Sequence, residues 1–112
     1  MSRDSLELLR GTLDLLILKT LSLGPMHGYD ISKWVRRKTG DAIHIEDSAL
    51  YQALRRLEER GLLAAEWKQS PTGREARFYD LTPRGRNRLE EQTENWHQYA
   101  AAMSAVLKAL EV

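Results

Sequence analysis

Apolar residues recur at helical spacing over four stretches of this chain and alternate with polar ones over a short stretch between the third and the fourth. Leu9, Leu13, Leu16, Ile17 and Leu21 follow the 3.6-residue period of a helix. Asp4 with Glu7 resembles a capping box, so this helix starts there or at Thr12. Leu6, Leu8, Leu15 and Leu18 are apolar too and widen the stripe beyond one face, which predicts that a partner chain covers part of it. Gly24-Pro25 ends the segment. A second helix is expected from about His27 to Lys38, with Ile31, Trp34 and Val35 inward. Arg37 and Lys38 in its last turn and Gly40 beyond it suit the helix dipole and a left-handed cap. The third helix is expected over about 47–60, stopped by Gly61, with Leu50, Ala53, Leu54 and Leu57 as its buried stripe.

Leu63, Ala65 and Trp67 alternate with Ala64, Glu66 and Lys68, the pattern of a half-buried strand. Residues 69–73 carry turn chemistry, and Arg77 to Leu81 form the return strand. Thr82-Pro83 is a strong helix start, an N-cap threonine with proline at the first helical position. The helix that follows is expected to reach about Leu110, a span of roughly 40 Å at 1.5 Å per residue. Leu89, Trp96, Met103 and Leu110 recur every seven residues, with Thr93, Ala100 and Leu107 four further on in each heptad. That repeat predicts a seam between two copies of the helix, formed by Leu89, Trp96, Ala100, Met103, Leu107 and Leu110. The competing possibility is a terminal helix folded back on its own domain. The expected fold is therefore mostly α with a small two-stranded wing: a winged helix-turn-helix over 1–82 and a long dimerisation helix over 83–112.

The net charge of +1 conceals a strong asymmetry. Residues 33–88 hold thirteen basic and eight acidic side chains, whereas residues 89–112 hold one basic and four acidic. Positive charge is thus concentrated on the second and third helices and the wing, where it can steer a polyanion. The chain has no cysteine, which excludes disulfides, thiolate catalysis and thiolate metal sites and makes the cytoplasm the expected location. The longest apolar stretch, Leu13 to Leu18, is interrupted by Asp14 and is too short to span a bilayer. No secretory signal pattern stands at the start. His27, His44 and His97 do not pair at metal-ligand spacing, and no nucleophile motif or phosphate-binding glycine loop is present. No enzyme, no cofactor, no metal and no membrane partner are expected.

The chemistry lies on the outer face of the third helix. Tyr51, Gln52, Arg55, Arg56 and Glu59 oppose the buried stripe, and arginine, glutamine and tyrosine are side chains that reach phosphates and base edges. A solvated charged face would look similar on its own. The hairpin that follows favours double-stranded DNA, because Lys68, Arg74 and Arg77 surround its turn, in the order by which a winged helix grips a duplex. An ordinary hairpin with basic residues guarding an edge is the plainer explanation of the wing.

Four segments together resemble the short form of the PadR family of bacterial transcriptional regulators: residues 8–18 (LLRGTLDLLIL), 24–29 (GPMHGY), 49–58 (ALYQALRRLE) and 79–85 (YDLTPRG). The resemblance covers nearly the whole chain. It implies an N-terminal winged helix, a C-terminal dimerisation helix, a homodimer and repression of nearby genes. It also implies that Tyr51 faces DNA. Family members often have glycine at the position of Ser48 and serine or threonine at that of Ala49; with Ser48 and Ala49 here, Asp47 or Ser48 is expected to cap the third helix, and Ser48 joins the DNA-binding set. In some short members an aromatic-lined cavity at the dimer interface admits planar compounds. Trp96, midway along the last helix, is the matching aromatic, and Leu8, Leu15, Tyr99 and Met103 are the expected further contacts for a small aromatic effector. A packed interface tryptophan with no ligand is the alternative. The rival reading of the whole chain is a winged-helix interaction module that no longer binds DNA, against which Gln52, Arg55, Arg56 and the basic wing all count.

Overall fold

A computed structural model describes residues 11–69 and 71–110. The element order is α1 (Thr12–Leu21), β1 (Met26–His27), α2 (Gly28–Lys38), α3 (Asp47–Glu59), β2 (Leu63–Gln69), β3 (Glu75–Leu81) and α4 (Pro83–Lys108). Ile17, Leu18 and Leu21 of α1, Ile31 and Val35 of α2, and Leu50, Ala53, Leu54 and Leu57 of α3 are fully buried together with Ile45. Most of these are positions that the helical spacing marked, and their burial is what makes three short helices stable together. Leu18, expected on the widened face of α1, is buried instead, while Leu13, Leu16 and Trp34, expected inward, are only partly buried. The start of α1 at Asp4 and the contribution of Leu6, Leu8 and Leu9 lie outside the described residues.

The sheet has three strands in the order β1-β3-β2, all antiparallel. The third strand was not expected. β1 has only two residues, Met26 paired with Tyr79 and His27 with Phe78, too few to show alternation. Pro25 and Gly28 bracket it, and the His27 ring meets Phe78 edge-on with centroids 5.4 Å apart. In β2 the half-buried pattern also fails: Leu63 is buried and Ala65 partly so, but Trp67 is 62% exposed. The hairpin outruns the domain body there, so no core lies beneath the indole.

The predicted cap of α3 is corrected as well. Glu46, extended at φ −64°, ψ 139°, is the N-cap, and it makes no side-chain cap bond. Asp47 and Ser48 are already helical. Ile45, 1% exposed, is anchored in the core just before the helix, and its position sets where the helix begins. By contrast the start of α4 is as expected. Thr82 Oγ1 accepts from the Gly85 N–H at 3.0 Å, with proline at the first position.

α4 belongs to the domain only at its beginning. Gly85 is its one buried residue among those described, and Leu89 packs against the core. Beyond these, Trp96, Tyr99, Met103, Val106 and Leu107 are exposed, and their spacing of three and four puts them on one side of the helix. Leu110, where the helix was expected to end, is exposed and lies past its end at Lys108, because Ala109 turns extended. The molecule measures 63 × 39 × 21 Å along its principal axes.

Candidate DNA interface

α3 presents a crest opposite its buried stripe. Ser48, Gln52, Arg55 and Glu59, spaced by three and four, are exposed along it. Tyr51 and Arg56 lie on its two flanks, Tyr51 toward β3 and Arg56 toward α1. The flanks are occupied by protein contacts. The Tyr51 ring lies over Gly28 at the start of α2, so closely that a Cβ there would come within 2.8 Å of it. The Arg56 guanidinium donates to Asp14 of α1. Arg55 forms neither a hydrogen bond nor an ion pair among the described residues, and its charge is free for an incoming anion. Sequence reasoning grouped Arg55 with Arg56; the structure separates them.

The wing is less uniform than its composition suggests. Lys68 extends over the Phe78 ring at 5.8 Å, and Arg74 lies exposed in the turn. Arg77 is not at the tip. It is the third rung from the turn, paired with Trp67, after Gln69 with Glu75 and Lys68 with Ala76. Its Nη2 donates to Glu58 Oε2 of α3 at 2.7 Å, and its guanidinium sits 5.9 Å from the centre of the Trp67 ring. Glu58 was not singled out from sequence, and neither was Asp14. Both act across long chain separations that leave no local signal.

Tyr79 lies between the wing and α3. Burial pushes its phenol above the ordinary value of 10.0; Glu58 and Tyr51 act in the same direction, and Arg77 and Arg55 oppose it. The folded protein therefore holds this proton more tightly than the unfolded chain does. The associated stability is complete below pH 10 and declines as pH rises through the higher folded value. Tyr79→Phe should flatten the alkaline limb of a pH–stability curve while leaving its neutral region little changed; an identical alkaline limb in the variant would count against this assignment.

A second feature is a groove between α1 and α4, lined by Leu15, Leu16, Ile43, Leu89, Thr93 and Trp96 among others. Tyr99 joins Leu15 and Trp96 in an adjoining shallow recess. The structure thus brings together Leu15, Trp96 and Tyr99 of the expected effector contacts. Met103 lies about two turns past Trp96 and lines neither space. Leu8 is outside the described residues. Among the described residues no group of three histidine, cysteine, aspartate or glutamate side chains could hold a metal ion. No described helix is long and apolar enough to cross a membrane.

A helix with a free polar crest, seated on a helical core and followed by a basic hairpin, defines a winged helix-turn-helix protein of the DNA-binding class. Residues 17–91 match the transcriptional regulator PadR-like family, and the chain belongs to that family of transcription regulators. It is similar to a transcriptional regulator from Clostridium thermocellum, with a TM-score of 0.81 and 31% identity over 88% of this chain and 93% of that one. A PadR family regulator from Eggerthella lenta matches with a TM-score of 0.78 and 34% identity, over 90% of this chain and 86% of that one. One from Clostridium difficile matches with a TM-score of 0.77 and 29% identity, over 87% of this chain and 99% of that one. The family comprises regulators rather than enzymes, in line with the missing catalytic motifs.

Proposed function

We propose that the protein is a homodimeric, cytoplasmic repressor that binds an inverted-repeat operator through α3 and the wing. The observation that carries this reading is the free crest of Ser48, Gln52 and Arg55 beside a basic hairpin. Ser48, Gln52 and Arg55 are the side chains proposed to reach base edges; Tyr51, Arg56, Lys68, Arg74 and Arg77 are assigned to the backbone. The exposed apolar side of α4 supports pairing with a second copy through Leu89, Trp96, Ala100, Met103, Leu107 and Leu110. Two-fold pairing would set the two α3 helices about 34 Å apart, one turn of DNA.

The test is a mobility-shift series on the duplex upstream of the protein's own coding sequence. Gln52→Ala or Arg55→Ala should cost about 1–3 kcal/mol and relax the preference at one base pair. Arg74→Ala should weaken all sequences alike and reduce the salt slope by about one. A dimer that shifts no such DNA at low salt would replace this reading with that of an interaction module.

The proposed signal is a flat apolar compound at the dimer interface beside the α1–α4 groove, against Leu15, Trp96 and Tyr99, with Leu8 and Met103 the further contacts expected in the assembled dimer. Its support is an aromatic side chain at the mouth of an apolar groove bounded by the helix that would set the dimer angle. Groove occupant and operator would then alter each other's affinity by the same factor. Planar aromatic dyes added to the same shift assay should release the DNA.

A further inference from the structure

Trp67 is the largest side chain of the wing, and burial does not explain it: with 62% of its surface exposed, it adds little to the core. Strand alternation puts it on the sheet face of Leu63 and Ala65, the face turned toward the helices. Its cross-strand partner Arg77 shares that face with Tyr79 and Leu81, which are buried. At the Trp67–Arg77 rung the hairpin has left the core behind, so this inner face looks onto open space alongside the outer side of α3. The indole is nevertheless held in place. Glu58 binds Arg77 at 2.7 Å, and Arg77 lies 5.9 Å from the indole centre, so α3, a planar cation and an aromatic ring are linked in series. Among the described residues, Arg77 Nε is a buried side-chain atom without a hydrogen-bond partner. The Glu58–Arg77 ion pair puts that flank of α3 on the side of the wing, and Tyr51 and Arg55, spaced four and three residues from one another and from Glu58, share it.

Trp67 of the wing and Tyr51 and Arg55 of α3 are thus exposed on the side where the two elements adjoin, and among the described residues Arg55 makes no hydrogen bond or ion pair. We infer that one sugar–phosphate strand of the duplex passes between α3 and the wing here and that Trp67 is a DNA contact of the wing, oriented by the Glu58–Arg77 pair. This rests on the DNA-binding reading above. A strand of DNA backbone fits this chemistry better than a protein segment does. Lys68 and Arg74 of the same hairpin supply cations for phosphate, the indole N–H is a donor for a phosphate oxygen, and the ring face matches the apolar edge of deoxyribose. Glu58, the carboxylate on this flank of α3, is already neutralised by Arg77. Arg77 is then a positioning residue first, which explains why so basic a wing keeps one of its cations tied to a carboxylate.

Tryptophan fluorescence tests this on the intact dimer, titrated with the duplex upstream of its own coding sequence and with a random duplex at low salt. The wild type should show saturable quenching that tracks the mobility shift. In Trp67→Phe more than about half of that quenching should vanish, although Trp34 and Trp96 still emit. Trp67→Ala should bind about tenfold more weakly with an unchanged salt slope, because no cation has been removed. Its melting curve should match the wild type, since the side chain is largely exposed. Quenching that is unaltered in Trp67→Phe, or wild-type affinity in Trp67→Ala, would overturn the assignment while DNA binding stands. A wild type that shifts neither duplex would overturn both readings at once.

Discussion

Adding a single methyl group at Gly85 is expected to destabilise the fold by about 3 kcal/mol or more, the largest effect of any one-carbon change in this chain. A Cβ at this position would lie 2.1 Å from the Leu62 carbonyl oxygen and 3.1 Å from Leu81 Cδ2. Neither side can give way. The Leu62 oxygen already accepts from the Thr82 N–H at 3.2 Å, and Thr82 Oγ1 donates to the Gly61 carbonyl at 2.7 Å while capping Gly85. Three backbone segments therefore converge: the end of α3, the end of β3 and the first turn of α4. Gly85→Ala should lower the thermal midpoint by more than about 10 °C. Gly73→Ala is the comparison, since its Cβ would meet nothing within 4 Å and only the positive φ of the turn resists it. Equal midpoints for the two variants would show that the approach at Gly85 is not as close as described.

The second large effect is expected at the other end of α4. Met103→Glu should leave the folded domain intact, because Met103 is exposed on the single chain, yet abolish pairing, because the carboxylate would be buried without a partner in the proposed seam. Leu107→Glu should act likewise. The dissociation constant of the dimer is expected to rise by at least about 100-fold, and operator affinity to fall with it, since a single half-site loses the gain of linked binding. Light scattering coupled to size exclusion reads this directly. A wild-type mass near 12.9 kDa at micromolar concentration would remove the dimer from the proposal.

Much of the architecture was legible before any coordinates. The period of apolar residues marked α1 to α3 because each of these helices turns one stripe toward the core, and it marked α4 although the apolar side of that helix is exposed on the single chain. Thr82-Pro83 marked the start of α4 because capping is chemistry within four residues, and Gly61 marked the end of α3 for the same reason. The outer face of α3 followed from the inner one. β1 was not legible, since two residues carry no periodicity. Nor was the cap of α3: Asp47 and Ser48 look like capping residues, but buried Ile45 fixes the start one position earlier.

The candidate site divides along the same line. Sequence by itself determined which residues share the exposed face of α3, that the hairpin is basic and that α4 carries an apolar side along most of its length. Each of these depends on spacing within one element. Only the tertiary structure decided which of those charges are free. Arg56 is matched by Asp14 across 42 residues, and Arg77 by Glu58 across 19, while Arg55 has no hydrogen-bond or ion-pair partner among the described residues. It also decided that Trp67, on the core-facing side of its strand, lies past the edge of the core and faces open space beside α3. The physical reason is that helical and strand periods are short-range properties of the backbone, whereas ion pairing and burial depend on how far apart the elements come to rest once the core has packed.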